Sequence, residues 1–182
     1  MNKRIMLTLT FAVLMIAISG CIDGDDTPVT VPEYVEPSVA NLILLKDIPS
    51  GFEYIGSMPT TIDDIKDKYA DVAGIVDVAE GIYKYSDGTD VYIISIECED
   101  DASADNFVYQ YKQSFSQLRS GTRFVEESFN GHFATRIKDY TTFNGNVERY
   151  TYVWNNGKFV FIVEGNTENY SLTRMIAEAT GQ

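Results

Sequence analysis

The chain has 182 residues, 27 acidic against 14 basic, for a formal charge of −13. Such a surface argues against nucleic acid and against a direct grip on anionic lipid, both of which need clustered Lys and Arg. With 45% hydrophobic residues the chain is too apolar to be disordered, and its length suits one domain with a real core.

Lys3 and Arg4 form a basic start, and Ile5 to Ile18 form an apolar run broken only by Thr8 and Thr10. That run has the length of a signal-peptide core and falls short of the roughly 20 residues that span a bilayer. It ends in Ala17-Ile18-Ser19-Gly20-Cys21. This string resembles the lipobox of bacterial and archaeal lipoproteins, with Ile18 where Leu is commonest. The resemblance implies a signal peptide over residues 1–20, cleavage before Cys21, a lipid on its thiol, and a place on the outer face of the cell membrane. Cleavage would remove Lys3 and Arg4 and no acid, leaving 12 basic against 27 acidic residues, a charge of −15. Residues 21–40 then read as an acidic tether punctuated by Pro28, Pro32 and Pro37, and residues 41–182 as a single globular domain.

Within that domain short strands alternate with three helices. Leu42 to Leu45 and Phe52 to Ile55 read as strands flanking the turn Ile48-Pro49-Ser50-Gly51. Thr61 with Asp64 predicts a capping box for a helix carrying Ile62, Ile65, Tyr69 and Val72 on one face. Ile75 to Tyr85 and Val91 to Cys98 predict strands joined through Ser86-Asp87-Gly88-Thr89. A second helix is expected from Ala102 to Arg119, its stripe being Phe107, Val108, Tyr111, Phe115 and Leu118. Four more strands are expected near 122–129, 132–140, 147–154 and 158–164. Their turns are Asn130-Gly131, Asn144-Gly145-Asn146 and Asn155-Asn156-Gly157. Leu172, Met175, Ile176 and Ala179 mark a final helix.

Strands joined by tight turns are antiparallel, because a parallel connection needs a crossover of a dozen or more residues. The predicted fold class is therefore α+β, a mainly antiparallel twisted sheet of about six to eight strands with about three helices packed on it. Tyr83-x-Tyr85 and Tyr150-x-Tyr152 each precede a Gly turn, an apolar strand and a helix, which suggests an internal duplication. The order of elements resembles that of the PsbP-like proteins. That resemblance implies an accessory role beside a membrane complex.

Chemistry-bearing motifs are sparse. His132 is the only histidine, on a strand face shared with Ala134, Arg136 and Lys138 that reads as solvated. No G-x-S-x-G, Walker A or G-x-G-x-x-G string occurs, and His and Cys are too few for zinc. Cys98 reads as a small buried apolar residue, and no cofactor is expected. Glu97, Glu99, Asp100 and Asp101 precede the second helix, where they suit its positive end; a calcium site is the alternative. Asn169-Tyr170-Ser171 is a glycosylation acceptor string at a helix start.

Aromatic residues give the sharper clue. Tyr150, Tyr152 and Trp154 share one face of a strand and Phe159 and Phe161 one face of its hairpin partner. They predict either a core or an open face for a protein, peptide or glycan. The sequence thus points to a lipid-anchored binding or accessory module, not an enzyme. The alternative is a surface hydrolase working through Asp and Glu carboxylates.

Overall fold

The Gly-centred turns fold the chain back on itself as their chemistry demands. The computed structural model describes residues 37–118, 120–141 and 147–182. In chain order the elements are α1 (Val39–Leu42), β1 (Phe52–Met58), α2 (Ile62–Lys68), β2 (Ile75–Tyr85), β3 (Asp90–Cys98), α3 (Asp101–Gln113), β4 (Phe124–Phe129), β5 (His132–Tyr140), β6 (Glu148–Asn156), β7 (Phe159–Gly165) and α4 (Tyr170–Ala179). The seven strands form one sheet in the order β1-β2-β3-β7-β6-β5-β4, with every neighbouring pair antiparallel. The fold is α+β, as predicted. Asn130 and Gly131, both at positive φ, make the two-residue turn between β4 and β5, a conformation that Asn and Gly tolerate and most residues do not. The Asn144-Gly145-Asn146 turn and Cys21 lie outside the described residues.

Helices cover both faces of the sheet. On one face α2 and α3 bury Ile65, Phe107 and Tyr111 against Ile94, Ile96, Val153 and Ile162. On the other, α4 buries Ile176 and Ala177 against Ile93, Tyr152, Trp154 and Phe161. This explains why β3 and β7 read as continuous apolar runs: a central strand covered twice has no solvent side to keep polar. Each fully buried Ile contributes about 1.5–3 kcal/mol relative to exposure. The helices following the two Tyr-x-Tyr hairpins, α3 and α4, lie on opposite faces. The two-fold relating antiparallel neighbours would put them on one face, so the layout does not follow a simple duplication.

Two expectations fail near the start. Leu42 to Leu45 is not a strand; α1 is a single helical turn followed by an irregular segment. Its backbone is satisfied by a side chain instead of a neighbouring strand, since the Tyr83 hydroxyl donates to the Ile43 carbonyl (2.9 Å) and accepts from the Leu45 N–H (2.8 Å). Packing also begins before residue 41, with Val39 only 2% exposed. The Thr61–Asp64 capping box forms as read. Helix α3 ends six residues short of Arg119. Ser114 turns its hydroxyl back to the Tyr111 carbonyl (2.7 Å), a side-chain bond that competes with further helix.

Candidate functional site

The aromatic face that the sequence left as either core or an open binding face is core. Tyr152, Trp154 and Phe161 are at most 1% exposed, Tyr150 is buried, and Phe159 is half-buried against the same cluster. Trp154 stacks on Phe161 (centroids 5.2 Å apart, planes at 16°) and meets Phe129 edge-on. Helix α4 closes over them. The sequence could not show this, because the same period of two that puts five rings on one face says nothing of what covers that face.

The His132 face is likewise less solvated than its sequence suggests. Ala134 is fully buried, and Arg136 lies over the Tyr170 ring (4.4 Å) while pairing with Glu127 (2.7 Å). The opposite face of the same strand end carries Phe133, 80% exposed. The acidic run does not converge. Glu97 pairs with Lys158 (2.7 Å), and Asp100 caps α3 by accepting from the Ser103 N–H (2.8 Å). Among the described residues no group of three or more His, Cys, Asp or Glu is placed to hold a metal. Cys98 is buried, and burial, reinforced by Asp100 and Glu97, pushes its thiol up to about 11, away from nucleophilic use. Asn169 spends its carboxamide oxygen on the N-cap of α4, accepting from the Ser171 N–H (3.1 Å).

What the fold builds instead is a cleft of about 490 Å³ on the α2/α3 face, where the C-terminal ends of those helices meet the sheet. Its floor is a row set by strand register: Tyr92 opposite Glu164, Glu164 opposite Thr151, with Asp139 opposite Arg149 beside them. Tyr69 and Tyr111 form one wall, edge to face at 5.3 Å. Burial, with Glu164 nearby, pushes both hydroxyls above the usual tyrosine range, so they remain protonated donors. The Tyr69 hydroxyl is buried without a well-formed hydrogen bond.

The cleft's charges are unequally matched. Glu164 is paired with Lys68 (2.8 Å) and Asp139 with Arg123 (2.8 Å). Arg149 donates to the Glu148 backbone carbonyl (2.9 Å), and among the described residues no carboxylate lies within 4.0 Å of it. Each cleft carboxylate thus faces a cation at short range.

The sequence did not bring these residues together. Tyr69 and Tyr111 read as helical stripes and Tyr92 as part of the strand from Val91 to Cys98, while Arg149 and Glu164 carried no signal. The pairing of β3 with β7 puts Tyr92 beside Glu164, and the pairings of β6 with β7 and β5 bring Thr151 and Arg149 to the same cleft. No protein-family model, curated protein or solved structure matches the chain. The PsbP-like reading therefore rests on element order alone.

Proposed function

We propose that the protein is an exported lipoprotein, held at the outer face of the cell membrane by lipid on Cys21, and that its domain is a non-enzymatic binding module using the α2/α3 cleft. The observation that carries the binding reading is the cleft itself. Half-exposed Tyr92 and Tyr140 offer ring surface, while Thr151, Asn166 and Arg149 offer hydrogen-bonding groups along one concave wall. A concave surface where aromatic side chains stand beside hydrogen-bonding groups is a form that small-ligand sites take. The anchor reading rests on the string ending at Cys21. No described helix is long and apolar enough to cross a membrane.

Two measurements test the parts separately. Cys21→Ser should move the protein from the membrane fraction to the soluble one; continued tight membrane association would sink the anchor. For the cleft, tyrosine-ring NMR spectra of the full chain in detergent are followed during titration with neutral and acidic monosaccharides and tripeptides. Shifts confined to Tyr92, Tyr111 and Tyr140 are expected, and a panel that moves none of them removes the cleft as a binding site.

A further inference from the structure

We infer that the ligand of this cleft is an anionic sugar, its charge carried by a carboxylate or a phosphate and received by Arg149; this rests on the binding reading above. The argument begins with charge. Lys68 pairs with Glu164 and Asp139 with Arg123, so of the charged residues lining the cleft Arg149 alone has no ion-pair partner among the described residues. Arg149 is half-exposed, and among the described residues its guanidinium donates one hydrogen bond, to the Glu148 backbone carbonyl. Among the described residues most of its five N–H donors have no partner, and they form the planar fork that matches the paired oxygens of a carboxylate or phosphate.

The rest of the cleft selects the body attached to that anion. Tyr92 and Tyr140 line the cleft, and tyrosine rings are of the kind that pack on the C–H face of a pyranose. Thr151, Asn166 and the already paired Glu164 supply donors and acceptors for ring hydroxyls at the same wall. An unsubstituted aliphatic acid would use the arginine and leave these polar groups unmatched. A neutral sugar would use the tyrosines and leave the arginine unmatched.

The test uses the full chain in detergent with three probes of one ring type: glucuronate, glucose 6-phosphate and glucose. Binding is read from the Tyr92 and Tyr140 ring resonances of the wild type and of Arg149→Gln. Glucuronate or glucose 6-phosphate should bind the wild type at least about tenfold more tightly than glucose, and Arg149→Gln should abolish that margin, as expected for loss of a charge-assisted bidentate pair. Whichever of the two anions binds better identifies the carrier of the charge. Should Arg149→Gln disturb the fold, Arg149→Lys keeps the charge without the fork and should cut anion binding by about threefold to tenfold, leaving glucose unchanged. Equal binding of all three probes, or anion binding indifferent to Arg149, overturns the inference and leaves the cleft reading standing. If no sugar moves the cleft tyrosines while tripeptides do, the sugar inference falls and the binding reading survives; if neither class moves them, both fall.

Discussion

One hydroxyl, that of Tyr83, holds the first turn of the domain against the sheet by serving the Ile43 carbonyl and the Leu45 N–H together. Tyr83→Phe keeps the ring and strands both backbone groups, and a buried group left unpaired costs about 1–3 kcal/mol. Urea unfolding should show a loss of that size with an unchanged slope; a loss below about 0.5 kcal/mol would mean that water replaces the hydroxyl. At this scale the sequence was legible for composition and poorly legible for role. Tyr83, Tyr152 and Trp154 announce themselves as aromatic, but a ring placed by strand alternation is equally suited to a core or a surface. What decides is whether a distant helix arrives over it. Arg149 shows the converse: nothing in the sequence around this arginine says that its potential partners, Glu164 and Asp139, are taken by other cations.

Among the elements, α4 decides the fate of the aromatic face, and its approach is set by a glycine. A Cβ on Gly165 would lie 2.0 Å from the Thr173 hydroxyl oxygen, so only glycine lets the helix sit so close to β7. Gly165→Ala should push α4 outward and destabilise by about 1–3 kcal/mol, the usual range for overpacking. Trp154 provides the readout. Its emission should be blue-shifted and resistant to acrylamide in the wild type, and redder and more quenchable in the variant; an unchanged spectrum at unchanged stability would mean that Thr173 simply rotates away. Element types from residue 52 onward were legible in the sequence because hydrophobic period and turn chemistry agree there. The exception, Leu42 to Leu45, has the apolar run of a strand but no neighbour strand to pair with, and a side chain took the neighbour's place.

The whole molecule carries opposed responses to acid. Asp64, Asp87 and Asp100 are held below the usual carboxyl range chiefly by hydrogen bonds from Thr61, Thr89 and Ser103, and Glu148 by its bond with Lys138. A carboxyl depressed in the folded state binds fewer protons there than when unfolded. Its contribution is therefore complete above about pH 5 and is lost as pH falls through the folded value. The charge of −13 acts the other way, since partial protonation relieves self-repulsion. The melting temperature should hold or rise slightly from pH 7 to about 5 and fall steeply below about 4. At pH 7 added salt should raise it by screening the repulsion, and near the isoelectric point of about 4.3 salt should do little. A salt response as large at pH 4.3 as at pH 7 would refute the repulsion argument. Fold class was legible at this scale because tight turns force antiparallel neighbours; the order of strands was not, because nothing local says that β3 must meet β7. That seam also sets a timetable for the growing chain. Strands β1 to β3 pair with neighbours close in sequence, but Val91 of β3 meets its partner Gly165 only once β7 has been made. Until then the first half holds an apolar strand with one side of its ladder unpaired, a template for another chain. Folding speed and aggregation during synthesis are thus governed by the arrival of residues 159–165, and the slow step of refolding should be the closing of this long loop rather than the formation of either half.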